Sequence, residues 1–182
     1  MIHAIGFLEL SSIAKGIETT DALIKAADIN LIFSRPSCPG KYYILFSGQI
    51  GSVNASMDAG ISIAKESIID HVVIAQLDPQ VLFAINQTSQ PEAKGALGVM
   101  EFFSVTAAIY AADTAVKAAN VRLLDVRTGT GIGGKAFVIL TGDVGAVNAA
   151  VEAGKAHDVA KGLLIGTAVI ANPSEQIFTN LY

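Results

Sequence analysis

Apolar positions along this chain change their spacing in a fixed order, and the order occurs twice. Ile2 to Leu10 is a nearly continuous apolar run of strand length, and Ser12 is placed to cap a helix after it. Ile13, Ile17, Thr20, Ile24 and Ala27 then recur at steps of three and four, which predicts the apolar face of an amphipathic helix. Ile29 to Ser34 and Lys41 to Ser47, rich in β-branched and aromatic residues, read as two strands. Between them, Pro36 and Pro39 fix φ and withhold two N–H donors, which predicts a stiff loop from Ser34 to Lys41. A second helix is expected from Gly51 to about Lys65, a fourth strand from His71 to Gln76, and a short helix opened by Asp78-Pro79.

The same series returns from Ala96. Ala4-Ile-Gly-Phe-Leu-Glu-Leu10 becomes Ala96-Leu-Gly-Val-Met-Glu-Phe102, and Asp21, Lys25 and Arg35 return as Asp113, Lys117 and Arg127, all 92 positions on. Past the loop the offset is 94, which matches Gly40, Lys41 and Pro79 to Gly134, Lys135 and Pro173. The second helix face is Val105, Ile109, Ala112, Val116 and Ala119. The later elements are strands at Val121–Arg127, Lys135–Thr141 and Leu163–Ile170, a helix from Gly145 to about Asp158, and a last helix opened by Asn172-Pro173. Each half is thus β-α-β-β-α-β-α, joined by a polar linker from Gln87 to Lys94 that contains Pro91. The expected fold is α+β, with two tandem ferredoxin-like, split-βαβ domains at residues 1–90 and 91–182, each a four-stranded antiparallel sheet covered by helices.

Composition narrows the function classes. Hydrophobic residues at 52% supply ample core for 182 residues, while charged residues at 15% leave too little polar surface to wrap two separate small domains. Apolar surface buried between chains is the expected consequence. The net charge of −4, without a basic cluster, argues against a nucleic-acid or anionic-lipid partner. No apolar run reaches the roughly 20 residues that span a bilayer, and the N-terminus has no basic signal region, so a cytoplasmic, non-membrane protein is expected.

The candidate chemistry is sparse. Gly129-Thr-Gly-Ile-Gly-Gly134-Lys135 has the spacing of nucleotide-binding glycine motifs, but those need a helix directly after the glycines, and Lys135 to Thr141 is strand sequence. Glycines there instead allow a tight loop and a close backbone approach. His3, His71 and His157 show no metal-ligand spacing, no nucleophile elbow occurs, and no enzymatic site is expected. Lys25 and Lys117 sit four residues after Asp21 and Asp113, the spacing of helical ion pairs. Cys38, the single cysteine, forms no intrachain disulfide; it is either a small apolar residue or a presented thiol.

The stretches Asp21-Ala-Leu-Ile-Lys-Ala-Ala27 and Asp113-Thr-Ala-Val-Lys-Ala-Ala119, each after a Gly-Φ-Φ-Glu strand, resemble the signature of bacterial microcompartment shell proteins. Gly40-Lys-Tyr-Tyr-Ile-Leu-Phe-Ser-Gly48 and Gly134-Lys-Ala-Phe-Val-Ile-Leu-Thr-Gly142 fit it too, so the resemblance covers the chain twice. It implies a structural shell tile, a homotrimer forming a pseudohexamer that assembles with other shell proteins of a microcompartment. Matched to the family, Ser34, Arg35, Pro36, Ser37, Cys38, Pro39 and Gly40 would alternate around the central pore with Thr128, Gly129, Thr130, Gly131, Ile132, Gly133 and Gly134. Lys25 and Lys117 would lie at tile edges. A cysteine in the first-copy loop is similar to that of a tandem member which binds an iron–sulfur cluster, and it implies a [4Fe–4S] cluster shared by three chains through Cys38, serving electron transfer or cluster delivery to a redox enzyme. The rival expectations are a tile whose pore passes a small metabolite with Cys38 unligated, and a ferredoxin-like ligand-binding enzyme or sensor. One departure stands out: family members often carry Pro-Arg-Pro before the last helix, whereas this chain has Gln76-Leu-Asp-Pro79 and Ile170-Ala-Asn-Pro173.

Overall fold

The structure, a computed structural model, describes residues 4–88, 94–156 and 162–181. His3, His157, Pro91 with most of the linker, and the end expected for the helix near Asp158 lie outside the described residues. The first series is β1 (Ala4–Leu10), α1 (Ile13–Ala26), β2 (Ile29–Ser37), β3 (Lys41–Gly48), α2 (Ile50–Ala64), a 3₁₀ turn, β4 (Ile68–Ala75) and α3 (Pro79–Ile85). The second is β5 (Ala96–Phe102), α4 (Val105–Ala118), β6 (Val121–Thr128), β7 (Ala136–Gly142), α5 (Val144–Ala156), β8 (Leu164–Ile170) and α6 (Glu175–Thr179). The helix starts follow local chemistry. Ser12 Oγ accepts from the Lys15 N–H at 3.3 Å, Ser104 Oγ from the Ala107 N–H at 3.2 Å, and the Asp78 carboxylate from the Gln80 N–H at 2.9 Å with Pro79 in the first turn.

Each series folds into a four-stranded antiparallel sheet, ordered β2-β3-β1-β4 and β6-β7-β5-β8. The duplication extends to irregularities. β2 shifts register between Leu31 and Phe33 as β6 does between Leu123 and Asp125, and the β1–β4 and β5–β8 pairs shift just after the glutamate, at Glu9/Leu10 and Glu101/Phe102. One expectation needs correcting: β2, the strand before the loop, continues to Ser37, so Ser34, Arg35, Pro36 and Ser37 pair with Ile44, Tyr43, Tyr42 and Lys41 instead of forming loop. Pro36 is tolerated because β2 is an edge strand, where a missing N–H breaks no ladder on the outer side.

The helix faces also depart from the sequence reading. On α1 the buried residues are Gly16, Thr19, Thr20 and Leu23, while Ile13, Ile17 and Ile24 are exposed. Gly16 makes this possible: a Cβ there would stand 2.3 Å from the Tyr42 ring, so the helix rests directly on that ring. Leu23 in turn packs where Gly60 of α2 leaves room, beside Leu8, and Leu23, Ile44, Phe46, Val53 and Met57 form the core under β1 and β3. On α4 the predicted face is inward, with Val105, Ile109 and Ala112 fully buried.

Contacts divide the chain into two compact units, Met1–Leu77 with Gly129–Gly134, and Asp78–Thr128 with Lys135–Tyr182. The limits cross the repeat boundary. α3, written in the first series, belongs to the second unit: the Asp78 N–H donates to Asp113 Oδ1 at 2.9 Å and the Leu123 N–H to Gln80 Oε1 at 3.2 Å. The glycine segment of the second series belongs to the first unit. Among the described residues no helix is long and apolar enough to cross a membrane.

Candidate functional site

The cysteine sits on a three-residue turn. β2 ends at Ser37 and β3 begins at Lys41, leaving Cys38, Pro39 and Gly40 to reverse the chain; the Gly40 N–H donates to the Ser37 carbonyl at 2.9 Å, and Gly40 has φ 85°. The Cys38–Pro39 peptide bond is cis, and Cys38 is a free, half-buried thiol.

Within the same unit the glycine loop lies against this turn. Gly129, Gly131, Gly133 and Gly134 all have positive φ, between 67° and 80°. At two of them a side chain has no room. A Cβ on Gly134 would stand 2.7 Å from Pro39 Cδ and 3.0 Å from the Cys38 carbonyl oxygen, and one on Gly129 would stand 2.6 Å from the Tyr43 hydroxyl. Ser37 Oγ and Thr130 Oγ1 share a hydrogen bond of 3.3 Å. The structure therefore brings Ser37, Cys38 and Pro39 together with Gly129, Thr130 and Gly134. Ile132 is half-buried, and Gly131 and Gly133 are exposed.

Other expected loop residues are held elsewhere. Ser34 hydrogen-bonds to Thr20 at 2.7 Å and donates to the Tyr42 hydroxyl at 2.9 Å, tying β2 to α1. The Arg35 guanidinium lies 4.2 Å over the Phe33 ring. Its counterpart Arg127 pairs with Asp125 at 2.7 Å, because Asp125 stands where the first series has Phe33. Burial pushes the Asp125 carboxyl up from its ordinary value, and the Arg127 hydrogen bond and charge pull it back. Thr128 is the last residue of β6. Lys25 and Lys117 stand in the last turns of α1 and α4, paired to Asp21 at 2.6 Å and Asp113 at 2.5 Å.

Sequence reading missed the group beneath the cysteine turn. Glu9, opposite Tyr43 in the β1–β3 ladder, is fully buried and pairs with Lys41 at 2.5 Å; in the second repeat Glu101 and Lys135 form the same pair in the open, at 2.9 Å. The recurrence of that glutamate and lysine in both repeats was the available signal. Tyr43 is fully buried, its ring 5.7 Å from Phe7, and its hydroxyl makes no hydrogen bond of good geometry. Its pKa is pushed up to about 12, first by burial and then by the Glu9 charge, with the Ser37 hydroxyl acting in the opposite direction and Cys38 adding slightly.

Comparison with known proteins places these features. A family profile described as BMC domain matches residues 4–77 and again residues 96–173. The chain belongs to the BMC-domain family of bacterial microcompartment shell proteins. It is 41% identical over 181 residues to the bacterial microcompartment shell protein PduT of Citrobacter freundii, covering 100% of this chain and 98% of that one. Over 83 residues, 45% of this chain and 85% of the relative, it is 43% identical to the shell protein PduA of Salmonella typhimurium strain LT2. A crystal structure described as a microcompartments protein from Desulfitobacterium hafniense DCB superposes with a TM-score of 0.89 at 41% identity, covering 98% of this chain and 99% of that one. Each BMC domain here supplies one four-stranded sheet. The chain is a structural shell protein and not an enzyme, as its full-length relative is named.

Proposed function

We propose that three copies of this chain close into a pseudohexagonal shell tile with Cys38 of each at the central opening, and that the three thiolates hold a [4Fe–4S] cluster for electron transfer across the shell or for delivery to an enclosed redox enzyme. The observation that carries this reading is the turn itself, a half-exposed free thiol at a hairpin tip with the other repeat's glycine backbone against it.

The donor set fits as one third of a site. Among the described residues no group of three His, Cys, Asp or Glu side chains can hold a metal, and the ligands in this reading are further copies of Cys38. A threefold axis brings three thiolates to one point, which satisfies three irons of a cubane and leaves the fourth to a ligand from outside this set. When bound, such a cluster supplies one-electron redox chemistry at a potential set by hydrogen bonding and solvent exposure. The chain's own residues do the positioning. Gly40 closes the turn on Ser37, and Gly134 lies at the Cys38 carbonyl, so N–H groups of the glycine loop are candidates to donate to the sulfur ligands. Lys25 and Lys117 are assigned to tile edges, where neighbouring shell proteins meet.

Cys38→Ser, made and purified without oxygen, is the test. The variant is expected to remain trimeric by light scattering while losing iron, visible absorption and any paramagnetic signal on reduction. A variant that keeps its iron contradicts the assignment of Cys38, and a colourless parent favours the metabolite pore.

A further inference from the structure

Tyr43 carries a hydroxyl that the fold does not use. The residue is fully buried, and among the described residues its hydroxyl has no hydrogen-bond partner of good geometry. Burying an unpaired hydroxyl destabilises a fold. The second repeat is built without one: Phe137 stands opposite Glu101 as Tyr43 stands opposite Glu9, so a bare ring fills this place in the ladder.

The polar groups around the hydroxyl are engaged elsewhere. Glu9 is paired with Lys41 at 2.5 Å, and Ser37 Oγ shares its 3.3 Å hydrogen bond with Thr130 Oγ1. Room is nevertheless kept for the hydroxyl. A Cβ on Gly129 would stand 2.6 Å from it and 3.3 Å from Ser37 Oγ, so the hydroxyl is held between Gly129 and the residue that precedes Cys38. Burial and the Glu9 charge push the phenol up most, and a charge on Cys38 adds to them, which places that sulfur within electrostatic reach of the hydroxyl.

We propose that Tyr43 is a positioning residue for Cys38, its hydroxyl donating a hydrogen bond to the sulfur whenever the sulfur carries negative charge, as a free thiolate or as a cluster ligand. A phenol keeps its proton in neutral solution, where a thiol begins to ionise, and donation to a charged acceptor is stronger than to a neutral one. The hydroxyl therefore waits without a partner until the sulfur is charged. Donor and acceptor also occur in the same repeat: the second has Phe137 in place of Tyr43 and a glycine loop with no cysteine. What the donor does to a metal rests on the cluster reading, whereas what it does to the free thiol does not. Hydrogen bonds to the sulfurs set the potential of a cluster, and donation favours its reduced, more negative state.

Tyr43→Phe tests this in two states of the full chain. In the metal-free protein at neutral pH, Cys38 is expected to react with iodoacetamide about threefold more slowly than in the parent, with unchanged circular dichroism. The thiolate fraction falls, and the greater nucleophilicity of the remaining thiolate offsets only part of that. In protein purified without oxygen, the variant is expected to hold the parent's iron content at a lower reduction potential. An unchanged alkylation rate overturns the proposal whatever the metal content, and an unchanged potential in a loaded variant overturns the donation to the ligated sulfur. A rate that falls in Ser37→Ala but not in Tyr43→Phe assigns the donor to Ser37 and also overturns it. A colourless parent whose thiol still slows in Tyr43→Phe removes the cluster and leaves the hydrogen bond standing.

Discussion

Tyr43 and Phe137 occupy equivalent places in the two repeats, yet only the first carries a hydroxyl, and that hydroxyl is buried beside Glu9 under the cysteine turn. Burial and the Glu9 charge hold the phenol protonated to about pH 12, whereas in the unfolded chain it ionises near 10. Because the folded state keeps this proton longer, the contribution of Tyr43 to stability is intact below pH 10 and is lost as pH rises from there to about 12, amounting to about 3 kcal/mol. Tyr43→Phe is expected to change stability by less than about 1 kcal/mol at neutral pH, since no well-aligned hydrogen bond is removed, and to flatten the alkaline loss. Denaturant titrations of parent and variant at pH 8 and pH 11 check this; parallel losses in both proteins count against it. The sequence showed Cys38 as the chemical outlier, and it showed that the glycines mark a close backbone approach. It did not show what lies beneath, because Tyr43 in an alternating strand reads the same whether its hydroxyl meets water or is enclosed.

At the scale of elements, periodicity and capping carried most of the fold. Ser12, Ser104 and Asp78 each accept the N–H that their positions predict, and the strand orders of the two sheets follow from the repeated β-α-β-β-α-β series. Ser104 is buried and its hydroxyl meets the Ala107 N–H at 3.2 Å, so Ser104→Ala is expected to cost about 1 kcal/mol and to start fraying at α4. Thermal unfolding of the variant checks it, and an unchanged midpoint would show that the cap is replaced by water or by a neighbouring group. Two things at this scale were not legible. Pro36 suggested the end of a strand, but an edge strand has an outer side on which a missing N–H breaks no ladder, and edge position is a tertiary fact. The apolar stripe of Ile13, Ile17 and Ile24 suggested a core face, but stripe spacing specifies only that the face is to be covered, not that the same chain covers it.

At the scale of the whole molecule, the repeat and the compact units do not share a boundary, and the mismatch is informative. α3 leaves the first series for the second unit, and the glycine loop leaves the second series for the first unit. A polar linker between two similar halves, as the sequence presents it, contains no hint of this exchange, because it marks where one series ends and not which sheet the flanking segments pack against. The low charged fraction did carry the broader message that apolar surface remains to be buried between chains. In the proposed tile, three chains in a ring would account for that surface, and the same symmetry would turn one thiol per chain into a metal site. Native mass spectrometry of the protein purified without oxygen tests this account most directly. The account predicts a single assembly with the mass of three chains plus one four-iron, four-sulfide cluster; a trimer with no added mass would contradict the cluster, and a lone chain would contradict the tile as well.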